Sequence, residues 1–585
     1  MVDQQQASQS DEYVTMEKEE RRVSDLWKKE DWMVIWLGFI LLATGLLIYL
    51  LNPPAKMEEK FDKYNQIMKE EASKAPFKTI AWHKASADKK KIRARDESHG
   101  KTIQEFLKAP DKWATNPVDS LYRSKETADS MNAKGKEGFE KAKAAEQTAF
   151  AAAQTAEQKA AQAGFKDGAL NKAAETEIAK WLKSNEALSK AKAKTANKPY
   201  NRVPYLVGLA IMLGVFFGIG KIVMGESFGK FLVGFFFVFV FAVLAYIAEV
   251  QHTMEQYGFG FPLWAIIFGM LVSNTVGTPG WVKPGVQTEY YIKTGLVLLG
   301  AEILMNKMLA IGTPGIFVAW IDTPFILIVT YWFGQRIVKI PSRTLNITIC
   351  ADMSVCGVSA AIATAAACRA KKEELTLAVG LSMVFTALCM VIQPAIAKLV
   401  GMPQILAGAW MGGTIDSTGA VAAAGAFYGE QALYVAATLK MIQNVSIGFI
   451  AFGVAYYWCA KVECAPGQTV SLWEIWDRFP KFVLGFILAS IIFSFVDGSV
   501  TKDYSTAMID QGVLRGFTRL IREWCFALAF ASIGLETNFR DFRPYMKGGK
   551  PFILYGAGQT LDLITTLIMA YVFFYLLFPE MLAKI

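Results

Sequence analysis

Histidine is nearly absent from the chain. His83, His99 and His252 are the three in 585 residues, and none sits in an H-E-x-x-H pattern, which removes the commonest catalytic zinc reading. No P-loop occurs, so nucleotide-driven chemistry is not expected. Cysteine is scarce and scattered. Cys350, Cys356, Cys368, Cys389, Cys459 and Cys525 lie in or at the end of apolar stretches without C-x-x-C spacing, so neither a disulfide framework nor a metal site is expected. Charge is also sparse, at 19% of residues, and together with the apolar runs that follow this excludes a soluble multidomain enzyme. What fills the space is apolar runs of about 20 residues, recurring from Met33 to the C-terminus, each long enough to cross a ~30 Å hydrocarbon core as a helix. These runs are continuously apolar rather than alternating, so a transmembrane β-barrel is excluded as well. Lys and Arg outnumber Asp and Glu by 61 to 52, but they sit in the N-terminal tail, one polar insertion and short loops. That placement fits topology signals and headgroup contact, not nucleic acid.

The composition divides the chain into four parts. Residues 1–32 form a polar cytoplasmic tail, and 33–51 a transmembrane anchor. The leader is too long and Asn52-Pro53-Pro54 is no small-residue cleavage site, so a signal peptide is not expected. Arg21, Arg22, Lys28 and Lys29 before the anchor keep the tail inside by the positive-inside rule. Residues 52–200 are then extracytoplasmic, rich in Ala, Lys, Glu and Gln, and read as long helices. Phe150, Phe165, Ile178, Trp181, Leu182 and Leu188 supply one narrow stripe, enough for a helical hairpin but not for a globular core. The insertion is expected to be a solvated helical arm that packs on the membrane domain or on a partner subunit and is dispensable for the membrane fold.

Residues 201–585 form the membrane domain, giving an all-α polytopic protein with about 13 transmembrane segments in all. Alternation places Arg336, Lys339 and Arg343, and also Arg540, Arg543, Lys547 and Lys550, on the cytoplasmic side. The turn at Arg369, Lys371 and Lys372 falls on the wrong side, so either a neighbouring segment is re-entrant or the count is off by one. The trio around Pro262, Gly295 to Glu302 and the helix after Pro314 echoes that around Pro480, Ala529 to Glu536 and the helix after Pro551. An odd number of crossings separates matching members, which predicts an inverted repeat.

Two stretches, Cys350 to Ala361 and Met411 to Val421, put glycines and polar groups at mid-membrane depth. Irregular backbone survives there only when buried in protein or lining a wet cavity, and broken helices aim free N–H and C=O ends at a ligand. Close packing of small residues explains the Ala and Gly content but not Asp352 and Asp416, whose intramembrane carboxylates mark function by default. The candidate substrate- or ion-binding residues are Asp352, Ser354, Cys356, Gly357, Ser359, Thr414, Asp416, Ser417, Thr418, Lys440 and Asn444. Lys440 is placed to act as counter-ion to Asp416 or as an anion ligand. Lys293, Glu302 and Glu536 are secondary candidates, and Asp322 and Asp562 are further buried charges. No catalytic residue, metal or cofactor is expected, and the protein is not read as an enzyme.

Six stretches carry a resemblance: Leu263 to Asn274, Lys293 to Gly300, Cys356 to Ala360, Val421 to Gly425, Leu439 to Met441, and Ala527 to Thr537. In this order they resemble the bacterial sulfate-exporter family of YeiH-like conserved membrane proteins, over about residues 261–578. The resemblance implies a secondary transporter in the bacterial inner (plasma) membrane, with the two broken segments near the substrate. It does not cover residues 52–200. Where members carry His followed by an acidic residue this chain has Asp416 and Ser417, and a following Gln position is Ala420. An Arg expected after Gly300 is Glu302, and one after Lys440 is Gln443. The cations that would offset sulfate are fewer, and a doubly charged anion beside Asp416 meets repulsion unless that carboxyl is protonated.

Three functions follow. The first is export of sulfate or another small inorganic or organosulfur anion coupled to H+ or Na+, with Lys440 and helix N-termini as anion ligands. The second is cation/proton antiport on Asp352 and Asp416. The third is a membrane scaffold or sensor acting through the arm. The lipid bilayer is the expected surrounding, and a homo-oligomer is among the expected partners.

Overall fold

The computed structural model describes Val14 and residues 22–257, 259–461, 473–540 and 549–585. Most of the tail, including Arg21, lies outside the described residues, as do Arg543 and Lys547. The described residues are helical almost throughout, which is what a bilayer demands of a single-chain bundle, since each helix satisfies its own backbone. Eight of the described helices are long and apolar enough to cross a membrane.

Helix α1 (Glu30–Leu51) is apolar all round and stops at Asn52. Its Gly38 packs so closely on Val297 that a Cβ there would lie 2.5 Å from a Val297 methyl carbon. At its start, Glu30 Oε1 and Asp31 Oδ1 take hydrogen bonds from Lys293 Nζ at 3.0 and 2.9 Å. Lys293 thus anchors α1 to the bundle.

The insertion holds α2 (Met57–Lys74), α3 (Ile80–Lys89), α4 (Ser98–Leu107), α5 (Lys125–Gln162) and α6 (Gly168–Ala193). Strands β1 (Tyr122–Arg123) and β2 (Tyr200–Asn201) pair antiparallel and bring the two ends of the α5–α6 segment together. Helices α5 and α6 form a hairpin sealed by Phe150, Ala153, Ile178 and Trp181 on Ile80 of α3. The first half behaves differently. Leu107 is buried in the main core, and its carbonyl accepts from Trp524 Nε1 at 2.8 Å. Arg202 Nε donates to Asp111 at 2.8 Å, and Trp113 Nε1 to the Ile247 carbonyl at 2.6 Å. Residues 57–121 therefore pack on the membrane domain, with a few large apolar side chains reaching into the bundle.

The membrane helices are α7 (Val203–Val223), α8 (Phe228–Glu249), α9 (Phe261–Thr275), α10 (Thr288–Glu302), α11 (Met305–Phe333), α12 (Arg343–Ser354), α13 (Val358–Cys368) and α14 (Lys372–Leu399). They continue with α15 (Gln404–Thr414), α16 (Thr418–Tyr428), α17 (Glu430–Lys461), α18 (Phe482–Ser499), α19 (Arg519–Glu536) and α20 (Lys550–Tyr571).

Two pairs are re-entrant hairpins. Thr344 at the start of α12 donates to Glu374 at the start of α14 at 2.7 Å, so the α12–α13 pair enters and leaves on one face. Gln431 N at the start of α17 donates to Gln404 Oε1 at the start of α15 at 3.1 Å, so the α15–α16 pair does the same from the other face. The turn at Arg369 to Lys372 thereby joins Arg336, Lys339 and Arg343 on the face where Glu30 and Asp31 begin α1. The odd placement of that turn is thus explained by re-entry. Cys350, Cys356, Cys368, Cys389 and Cys525 are free thiols, but Cys459 is disulfide-bonded, which corrects the expectation of no disulfide. Cysteine spacing alone carried no signal for it.

Candidate functional site

The hairpin tips are where the backbone departs from helix. Val355 ends α12 at φ −125°, ψ −82°, and Gly357 turns the chain at φ +64° before α13 begins. A Cβ on Gly357 would lie 2.8 Å from Ser382 Oγ and 3.3 Å from the carbonyl oxygen of Asp416, so the position is confined to glycine by conformation and by space. In the second hairpin Ile415 and Ser417 are extended, with Asp416 between them. The two tips meet where Gly357 faces Asp416.

Each hairpin brings one carbonyl-terminated helix end and one amide-terminated end to mid-depth, and the protein treats them oppositely. The carbonyl ends are capped. Lys440 Nζ donates to Val355 O at 2.5 Å and to Gln443 Oε1 at 2.7 Å, while Gln443 Nε2 donates to Ser354 O at 3.1 Å and Gly413 O at 3.0 Å. Gln559 Nε2 donates to Thr414 O at 2.8 Å, and Gln393 Nε2 to Thr414 Oγ1 at 2.6 Å. A cation and two amides, Gln443 and Gln559, thus meet the partial negative charge of α12 and α15, while Gln393 holds the Thr414 hydroxyl.

The amide ends are left open. Neither N-cap residue, Gly357 for α13 or Ser417 for α16, supplies a side-chain hydrogen bond. Both ends face one cavity of about 1110 Å3, reached by Cys356, Gly357, Ser359, Ser417, Thr418 and Asn444. Its mouth lies on the face where α1 begins, among Glu30, Asp31, Lys293, Glu289 and Glu536. Two uncapped helix N-termini at the end of a cavity concentrate partial positive charge and N–H donors on one spot, an arrangement suited to an anion.

Behind this surface lie the carboxyls. Asp416 is 2% exposed and accepts from Tyr555 Oη at 2.7 Å. Asp352 is 0% exposed, and neither of its oxygens has a well-formed hydrogen bond, although Ser382 and Asp416 face it. Further along α11 and α20, Thr566 Oγ1 contacts both Asp322 Oδ2 and Asp562 Oδ1, the latter at 3.0 Å.

The predicted residues therefore fall into two layers. Cys356, Gly357, Ser359, Ser417, Thr418 and Asn444 line the cavity, with Asn444 Nδ2 donating to Thr418 Oγ1 at 3.1 Å. Asp352, Ser354, Thr414, Asp416 and Lys440 are buried behind it. Lys440 is not on the cavity wall and makes no ion pair with Asp416 within 4.0 Å; it donates to Val355 O and Gln443 Oε1 at the first hairpin tip. Lys293 and Glu536 stand at the mouth, each already engaged, Lys293 by α1 and Glu536 by Thr288 Oγ1 at 2.8 Å. Glu302 is away from the cavity, paired with Arg522 Nε at 2.7 Å. Gln393, Gln443, Gln559, Ser382 and Tyr555 were not anticipated. An amide within an apolar run was the signal available for the first three.

The family described as Conserved hypothetical protein 698 matches residues 233–555. Two proteins of Nitratidesulfovibrio vulgaris, each named UPF0324 membrane protein, are 58% and 57% identical over 99% of this chain and 100% of their own length. That span includes the insertion. A UPF0324 membrane protein of Rhodopirellula baltica is 52% identical over 65% of this chain and 69% of its own. No solved structure matches.

Proposed function

The chain belongs to the conserved hypothetical protein 698 family of membrane proteins, and from that premise we propose that it is a secondary active transporter of a small anion. The observation that carries this reading is the cavity closed at its inner end by the uncapped N-termini of α13 and α16. Sulfate or a related inorganic or organosulfur anion fits the donors in kind, coupled to H+ or Na+. No enzymatic step is proposed.

The layout supports alternating access. Helices α9 to α11 and α18 to α20 run in opposite senses, and the two re-entrant hairpins enter from opposite faces, as an inverted repeat requires. Counting each hairpin once gives about 13 membrane segments. The cavity mouth shares its face with Arg336, Arg343, Arg369 and Lys372, so the positive-inside rule makes the arrangement cytoplasm-open in the inner membrane, with residues 52–200 outside. On the opposite face, Glu302–Arg522 and Glu430–Arg519, each at 2.7 Å, tie α10 and α17 to α19 and would have to part for outward opening.

Flux of radiolabelled sulfate, sulfite and thiosulfate into proteoliposomes, under imposed pH or Na+ gradients, tests the reading. Gradient-driven uptake of one of them is expected. A second reading, cation/proton antiport, is favoured by the unbonded carboxyl of Asp352 and the acidic mouth. Cation-driven proton movement without anion flux would establish it in place of the first.

A further inference from the structure

Asp352 poses a problem of access. A carboxyl at hydrocarbon depth with no well-formed hydrogen bond is costly as an anion, and a proton removes the cost. Yet the side chain is fully buried and is not part of the cavity wall. Asp416 is equally cut off, with Tyr555 Oη against it. One residue on the cavity wall reaches toward both carboxyls. Ser382 of α14 is on the cavity wall, and its hydroxyl faces Asp352 on one side and Tyr555 on the other. Gly357 makes room for that hydroxyl, since a Cβ there would stand 2.8 Å from it.

We propose that Ser382 is the port through which the two buried carboxyls exchange protons with the cavity, directly for Asp352 and through Tyr555 for Asp416. The proposal rests on the transporter reading only in assigning the proton a coupling role. A hydroxyl donates and accepts at once. In the direct step, the Ser382 O–H bond breaks as an O–H bond forms on Asp352, and Ser382 Oγ takes a proton from cavity water. One proton crosses and Ser382 is unchanged. Toward Asp416, the Tyr555 O–H proton passes to Oδ2 while Tyr555 Oη takes the Ser382 proton, and water restores Ser382. The other groups in reach do not replace this route. Lys440, Asp562 and Cys389 face Asp416, and Cys356, on the cavity wall, faces Asp352 but not Tyr555 and carries a thiol, a weak donor and acceptor. Lys440 directs its protons at Val355 O and Gln443 Oε1, and Asp562 is engaged by Thr566.

The test is pH-jump difference infrared spectroscopy on the purified full-length protein in nanodiscs, with no anion substrate present. The carboxylic C=O band of a buried acid should rise on acidification and lose separate components in Asp352→Asn and Asp416→Asn. Ser382→Ala should slow both components by about tenfold or more with their final amplitudes unchanged, since a positioned proton carrier contributes rate rather than equilibrium. Tyr555→Phe should slow only the Asp416 component. If Ser382→Ala aggregates, Ser382→Cys, similar in volume and a poorer proton carrier, is measured instead. A wild-type rate in the folded serine variant overturns the proposal, as does the absence of any pH-responsive buried carboxyl. Because no substrate enters this measurement, failure of anion flux would overturn the transport reading and leave the proton port standing.

Discussion

Lys440 Nζ donates to the carbonyl oxygen of Val355 at 2.5 Å, so this buried cation holds a hairpin tip and not a carboxylate. Lys440→Met should lower the melting temperature in detergent, because Val355 O and Gln443 Oε1 both lose their donor. Each stranded buried acceptor costs about 1–3 kcal/mol. The same loss should persist in an Asp416→Asn background. Were Lys440 and Asp416 a true pair, the double variant would recover most of the stability of the worse single one, and that recovery would contradict the geometry.

Gly357, Ser417 and Thr418 were legible in the sequence because glycine and hydroxyls interrupting an apolar run have few structural explanations at that depth. The re-entry of α12–α13 was legible only as a conflict, in the position of Arg369 to Lys372, and needed the Thr344–Glu374 contact to resolve it. The role of Lys440 was not legible, since charge in a sequence does not say whether it meets a carboxylate, a carbonyl or a ligand. Nor was the use of Leu107 and Trp524 to tie the insertion to the bundle, because composition averaged over 52–200 hides a few deeply buried side chains.

The two halves of the insertion should respond differently to deletion. Removing residues 125–193 and joining the ends with a short turn should leave a monodisperse protein, because β1 and β2 already hold the flanking segments side by side. Removing 57–121 should cause aggregation on size-exclusion chromatography, since Trp524, Arg202 and Asp503 lose buried or paired partners. Equal tolerance of both deletions would show that the Leu107 contact carries little weight.

Glycine substitutions separate packing from propensity. A Cβ on Gly300 would lie 2.2 Å from the Phe486 carbonyl oxygen, so Gly300→Ala must push α10 from α18. A loss of about 1–3 kcal/mol or more is expected, seen as a lower melting temperature or failed expression. Gly138, in the exposed part of α5, has nothing within 4 Å, and Gly138→Ala should gain about 0.5–1 kcal/mol. A neutral Gly300→Ala would show that the α10–α18 contact has slack.

In the arm, burial pushes the Glu157 carboxyl above its usual range, opposed by the Ile80 N–H donated to it at 2.8 Å and reinforced by Glu71. A raised acid in the folded state means that folding takes up a proton between the ordinary carboxylate range and the raised value. Stability therefore falls as pH rises through that window. Glu157→Gln keeps an acceptor for Ile80 without the charge, so it should raise the melting temperature at neutral pH and lose that advantage on acidification into the carboxylate range. A pH-independent difference between the two proteins would mean that Glu157 does not titrate differently on folding.

Thr566 has one hydroxyl hydrogen, yet its Oγ1 contacts Oδ2 of Asp322 and Oδ1 of Asp562. It can donate to one, so the other contact is bonded only if that carboxyl carries a proton and donates to Thr566. The remaining oxygens, Asp322 Oδ1 and Asp562 Oδ2, are buried without partners, as a neutral acid tolerates better than a second anion. Replacing one carboxyl by its amide should then be nearly free, since the amide presents an NH2 donor where the acid held its proton. Asp562→Asn is expected to melt close to the wild type across pH, whereas Thr566→Val, which removes the bridge and keeps both acids, should cost about 1–3 kcal/mol. If Asp562→Asn is instead strongly stabilising at neutral pH, both carboxyls are charged in the native protein and the shared proton does not exist.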